Sequence, residues 1–97
     1  MIIVRETQIP NPDKLHRYNI YIPTTNKRFK YYNIYTCICC KDVFIRPTNK
    51  LDEPDTGITI DDVPNTIIKH WYTQVKDIWR NNDIADILKK YLHKRKK

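Results

Sequence analysis

The sequence predicts an α+β fold: a small antiparallel β-meander of three to four strands followed by two C-terminal α-helices packed on one face of the sheet. Three observations predict it. Alternation of period two runs through residues 18–23 and 31–38, which is the spacing of a strand. From Ile67 onward, apolar residues recur at helical spacing instead. The connections between the early segments are too short for crossover helices, so consecutive strands must pair antiparallel.

Taken in order, residues 1–7 read as a first strand, with β-branched Ile2, Ile3 and Val4 before the charge at Arg5. Pro10 and Pro12 interrupt regular structure, because proline lacks the ladder donor and restricts the residue before it. In the second strand, 18–23, Tyr18, Ile20 and Ile22 share one face, with Asn19 and Tyr21 on the other. Residues 23–28 form a polar hairpin loop that exposes Lys27 and Arg28. The third strand, 31–38, places Tyr32, Ile34, Thr36 and Ile38 on one face and Tyr31, Asn33, Tyr35 and Cys37 on the other. Both faces carry large groups, so this strand belongs inside the sheet. Cys39, Cys40, Lys41 and Asp42 make a turn into a short fourth strand, 43–46, stopped by Pro47.

Residues 48–62 are an acidic loop with the sole glycine, Gly57. Asp61 or Asp62 caps a first helix over 63–80, with Pro64 in its first turn. Its stripe is Ile67, Ile68, Trp71, Tyr72, Val75, Ile78 and Trp79, read as core. Asn81 and Asn82 break the helix, and Asp83 caps a second one with the stripe Ile84, Ile87, Leu88, Tyr91 and Leu92. The expected organisation is one domain: a β-rich part at 1–47, the acidic loop at 48–62, two helices at 63–93 and a basic tail at 94–97.

The net charge is +7, although residues 51–62 hold five acids and no base. Positive charge therefore concentrates elsewhere, at Lys27, Arg28 and Lys30 and at Lys89, Lys90, Lys94, Arg95, Lys96 and Lys97. Such clusters fit a polyanionic partner as well as a solvated surface. No apolar run approaches the ~20 residues of a membrane-spanning helix, and charge follows Val4 too soon for a signal peptide. Three cysteines within four positions do not make a disulfide framework, which points to a reducing, intracellular setting, the cytoplasm or nucleus of a host cell. The abundance of Ile, Lys, Asn and Tyr suggests an AT-rich coding genome, that of a virus, phage, plasmid or AT-rich microbe.

Residues 35–44, with Cys37, Cys40 and Phe44, resemble the first half of a Cys2His2 zinc finger, whose hairpin knuckle brings two thiolates onto one metal. The histidine pair that should follow Phe44 is missing. A four-ligand zinc site would have to close over long range, drawing on Cys37, Cys40 and His70, with His93 or Cys39 as the fourth ligand. Alternation through Cys39 turns Cys40 away from Cys37, so the cysteines read as simple thiols and no cofactor is expected. A single glycine excludes P-loop and dinucleotide fingerprints, and a catalytic cysteine is not expected, since nothing near the three cysteines in sequence supplies a base.

The expected function is therefore non-enzymatic binding of RNA or DNA with weak sequence specificity, in a viral regulator or a subunit of a ribonucleoprotein or transcription assembly. Lys27, Arg28, Lys30, Lys89, Lys90, Lys94, Arg95, Lys96 and Lys97 contact phosphates, and Tyr31 or Tyr35 stacks on an unpaired base. The rival reading is a protein-interaction module, such as a small viral inhibitor of a host enzyme. Burial of Trp71, Trp79 and the strand tyrosines favours the first, and an exposed aromatic patch favours the second.

Overall fold

The computed structural model describes residues 2–7, 13–51 and 57–95, and side chains as far as residue 92. The expectations for Pro10 and Pro12, for the acids Asp52, Glu53 and Asp55, for Lys96 and Lys97, and for the side chains of His93, Lys94 and Arg95 lie outside that description. A four-stranded antiparallel sheet is followed by two helices, an α+β architecture. The chain divides into two compact units, Met1–Ile60 and Asp61–Lys97.

In the first unit, β1 (Ile3–Glu6), β2 (Tyr18–Pro23), β3 (Tyr31–Thr36) and β4 (Val43–Thr48) pair in sequence order. The register places Val4 opposite Ile20, Ile20 opposite Ile34, and Ile34 opposite Ile45. One face is thus a run of branched apolar residues. Val4, Ile20, Ile22, Ile34 and Val43 on it are buried, and full burial of each such side chain contributes ~1.5–3 kcal/mol. A turn of 3-10 helix, Lys14–His16, precedes β2 and is capped by the Asp13 carboxylate, which accepts from the His16 N–H at 3.1 Å.

Two strand ends in this unit differ from the sequence expectation. β3 stops at Thr36 because the Cys37 N–H donates to the Asp42 carbonyl at 2.7 Å, which closes the hairpin two residues early. Ile38 therefore leaves the sheet and is 64% exposed. β4 continues through Pro47 to Thr48, because it is an edge strand and an edge tolerates a missing donor. β3 itself is interior, as its two well-filled faces imply. The loop after β2 closes by Thr24 N–H to the Lys30 carbonyl (3.0 Å). Within it the Thr24 hydroxyl accepts from Asn26 N–H and the Asn26 side chain accepts from Arg28 N–H. These local side-chain turns hold the backbone while Lys27, Arg28 and Lys30 stay exposed.

A 3-10 turn, Ile60–Asp62, spans the boundary between the units in the chain, and α1 (Asn65–Gln74) follows it. Pro64 occupies the N-cap, and its carbonyl accepts from Ile67 and Ile68, so neither Asp61 nor Asp62 caps this helix. Ile67, Ile68, Trp71 and Val75 are buried, as the stripe predicts. The expected continuation to residue 80 is corrected: Val75–Trp79 is a π turn. With i→i+5 bonding each residue advances by less than in an α-helix, so the side chains that follow lag behind the stripe. Ile78 and Trp79, assigned to the core by α-helical spacing, are 65% and 41% exposed. Arg80 ends the turn in the left-handed conformation (φ 54°), a position usually held by glycine. Helix α2 (Asn82–Arg95) is capped by Asn81, not Asp83: the Asn81 side-chain oxygen accepts from Ile84 N–H at 3.1 Å. Ile84, Ala85 and Leu88 are buried along it.

Candidate nucleic-acid interface

The second face of the sheet is chemically unlike the first. Alternation and register gather Ile3 and Arg5 of β1, Asn19 and Tyr21 of β2, Tyr31, Asn33 and Tyr35 of β3, and Phe44 and Arg46 of β4 on it. Its floor is polar and ordered. The Asn33 amide donates to the Asn19 side-chain oxygen at 3.0 Å and to the Ile20 carbonyl at 3.1 Å, and the Asn19 amide donates to the Arg5 carbonyl at 3.4 Å. Both asparagines are buried. Buried amides need such partners, and here the partners lie across three strands and hold them in register.

Above that floor the aromatic rings are less covered. Tyr35 and Phe44 face each other across the β3–β4 pair with ring centroids 6.1 Å apart. Tyr35 is half-buried and Phe44 is 38% exposed. Together with Asn19, Asn33, Tyr21, His16, the cysteine turn and Arg46 they line a cavity of about 360 Å³. A second cavity, of about 490 Å³, lies against Tyr31 and the basic loop, lined by Lys27, Phe29, Lys30 and Asn49 among others. Tyr31 and Tyr35 are four residues apart on one strand, a separation of roughly 13 Å at strand rise.

Of the residues expected to bind nucleic acid, the structure therefore brings Lys27, Lys30 and Tyr31 to one cavity and Tyr35 to the other, with Arg28 exposed on the same loop. Lys89 and Lys90 are exposed on α2, in the second unit. Phe44, Arg46, Asn19, Asn33 and His16 line the same cavity as Tyr35 and are not among the expected residues. The signal was available for four of them, since pairing the strands as a meander aligns Asn19 with Tyr35, Asn33 with Arg46 and Tyr35 with Phe44.

One end of the first cavity is shaped by ionisable groups. The His16 ring contacts the Asp13 carboxylate at Nδ1 and the Cys40 carbonyl at Nε2, 2.9 Å away. The Cys40 carbonyl, and then the Asp13 carboxylate, raise the His16 pKa above its ordinary value. The His16 side chain in turn lowers the Asp13 pKa. This clasp ties the 3-10 turn to the β3–β4 turn.

The cysteines depart from the expected alternation. Because the strand ends at Thr36, Cys37 and Cys40 converge: the Cys40 N–H donates to the Cys37 carbonyl at 3.4 Å. Even so, among the described residues no three His, Cys, Asp or Glu side chains are grouped to hold a metal ion. Of the conditional set, Cys37 and Cys40 lie in the first unit and His70 in the second. His70 is half-buried on α1.

No protein-family model matches the chain, and neither a curated protein nor a solved structure is significantly similar to it. No helix among the described residues is long and apolar enough to cross a membrane.

Proposed function

We propose that this chain binds single-stranded nucleic acid, without catalysing a reaction on it, through the aromatic face of its sheet. The observation that carries the reading is the half-open Tyr35–Phe44 pair beside Arg46, above an amide floor, on the face that also carries Tyr31 next to Lys27 and Lys30. Unpaired bases stack on such rings with little regard to sequence, because every base has a π face. A spacing of roughly 13 Å between the tyrosines accommodates roughly two to three unstacked nucleotides, the number that sheet-based readers hold. Lys27, Arg28 and Lys30, with Arg46, supply the phosphate contacts, and such contacts carry no base identity. Lys89, Lys90 and the terminal bases Lys94, Arg95, Lys96 and Lys97 add to the general attraction for a polyanion. A role as a small viral regulator or a ribonucleoprotein subunit accords with weak specificity.

The test is fluorescence anisotropy with random single-stranded and duplex oligonucleotides. Single strands should bind more tightly than duplex, and Phe44→Ala should weaken binding to single strands alone. Equal binding to both forms, unaffected by Phe44→Ala, would reduce the interaction to unspecific charge attraction and remove the sheet face from it.

A second reading, a protein-interaction module, rests on a separate observation: the π turn leaves Ile78 and Trp79 exposed side by side in the second unit. Exposed large apolar pairs of this kind are common at protein contacts. Failure to bind any oligonucleotide, with Trp79→Ala abolishing capture of a defined host protein, would favour it.

A further inference from the structure

We propose that Cys37 and Cys40 form a reversible dithiol–disulfide couple that exchanges with small-molecule disulfides. The inference is independent of nucleic-acid binding. Its basis is geometric. Cys37 opens a turn in which the Cys40 N–H returns to the Cys37 carbonyl, and a turn closed this way holds its end Cα atoms within ~7 Å. A disulfide needs Cα atoms about 4.4–6.8 Å apart, a range that such a turn permits without rearranging the backbone. The Cys40 thiol and N–H both act on the Cys37 thiol, as does the Cys39 thiol to a lesser degree. The alternatives are less suited. Cys39 and Cys40 are adjacent, and a ring closed over one planar peptide bond is strained. Cys39 acts on Cys37 chiefly through its backbone N–H, and no backbone bond closes a turn between these two as one does between Cys37 and Cys40.

The two sulfurs are also differentiated. The Cys39 N–H, followed by the Cys40 thiol and N–H, stabilises a thiolate at Cys37 and lowers its pKa. At Cys40 the Asp42 N–H acts in the same direction, but partial desolvation, donation to Cys37 and the charges of Asp42 and Cys37 outweigh it and raise the pKa. Cys37 is half-buried and Cys40 exposed, so both remain within reach of a small reagent, unlike an inert core cysteine. This assigns the roles. The Cys37 thiolate attacks one sulfur of a disulfide RSSR, forming a mixed disulfide and releasing RS⁻. Cys40 then loses its proton to solvent and attacks the Cys37 sulfur, closing the Cys37–Cys40 bond and releasing the second RS⁻. The two electrons lost by the pair reduce RSSR to two thiols, and excess thiol reverses both steps.

The experiment equilibrates the full chain with mixtures of reduced and oxidised glutathione, quenches with acid, alkylates and maps the peptides by mass spectrometry. The expected product is an internal Cys37–Cys40 disulfide that leaves Cys39 open to alkylation, and Cys39→Ser should form it equally well. In Cys40→Ser the mixed disulfide with glutathione should accumulate at Cys37. In the reduced wild type, Cys37 should be alkylated several-fold faster than Cys40 near neutral pH. A predominant Cys37–Cys39 or Cys39–Cys40 bond, a dimer linked through cysteine, or no oxidation in strongly oxidising mixtures would each overturn the proposal. Accumulation of the adduct at Cys40 in Cys37→Ser as readily as at Cys37 in Cys40→Ser would overturn the assignment of roles.

Discussion

Alternate residues of the same four strands make one face of Val4, Ile20, Ile22, Ile34 and Val43 and another of Asn19, Tyr21, Asn33, Tyr35, Phe44 and Arg46. These five residues of the first are all buried. The second buries its amides and Tyr21 but leaves Phe44 and Arg46 exposed. Helical sequence shows the same division along its length, with Trp71 buried in α1 and Trp79 exposed in the π turn. Aromatic content alone therefore says little about the core. What separates a structural ring from one available to a ligand is the register that places it.

The largest effects should come from the covered side. Trp71→Ala should cost ~3–5 kcal/mol and Ile34→Ala ~2–5 kcal/mol, because both side chains are fully buried and leave cavities. Their open counterparts should behave differently. Tyr35→Ala should cost ~0.2–1 kcal/mol, the value of a cross-strand pair, and Trp79→Ala under about 1 kcal/mol. Denaturant titrations of the four variants measure this directly. A loss at Trp79 as large as at Trp71 would mean that the π turn does not turn its side chains outward.

Binding should reverse that order. Tyr35→Ala should weaken affinity for single-stranded oligonucleotides by ~1–3 kcal/mol, the usual worth of one stacked base. Ile34→Val, a small change beneath the opposite face, should leave affinity unaltered at temperatures where the protein is folded. Comparable losses in both variants would show that the effect passes through stability and not through contact.

How much of this was legible follows from where local chemistry was sufficient. β2 was delimited at both ends, since alternation begins at Tyr18 and a proline stands at Pro23. The early end of β3 was not legible, because it depends on a backbone bond from Cys37 to Asp42 across the turn. Pro47 misled for a related reason: whether a proline ends a strand depends on whether that strand is an edge, which is a property of the sheet. Trp79 was lost to a change of helical period that no single residue announces. For the candidate site, single residues such as Tyr31, Tyr35 and the loop bases were visible one at a time. Their grouping with Phe44, Arg46 and the two asparagines required strand pairing.

Charge offers a smaller effect that separates the sheet face from the chain terminus. Replacing Lys27, Arg28 and Lys30 with alanine should flatten the slope of log affinity against log salt by ~0.7 per lost phosphate contact on single strands. Deleting residues 94–97 should flatten it by the same amount for each contact those bases make, with folding preserved, since the apolar stripe ends at Leu92. If only the deletion changes the slope, the polyanion is held by the terminus and the sheet face loses its claim to the phosphates.

The smallest expected effect concerns the clasp at the end of the open face. His16 gains the Cys40 carbonyl and the Asp13 carboxylate as partners on folding, which raises its pKa above the ordinary 6.5. A raised basic group adds stability that is fully present below its unfolded pKa and is lost as pH climbs through the folded value. Asp13 runs the other way. Its pKa is lowered from 3.8, so its share is present above that value and lost as pH falls through the lower folded one. The clasp should thus be complete between about pH 4 and 6.5 and weaken on either side. The ring resonances of His16, followed by NMR against pH, should titrate above 6.5, and Asp13→Asn should bring the midpoint down. The denaturation midpoint should decline as pH rises past 6.5 in the wild type and stay flatter in His16→Gln. Because His16 lines the cavity, the same titration should change the chemical shifts of Tyr35 and Asn33 while those of Val4 and Ile22, on the covered face, stay constant. A His16 that titrates at or below 6.5 would show that the Asp13 and Cys40 contacts do not persist in solution, and the two faces would then differ in covering alone, not in electrostatics.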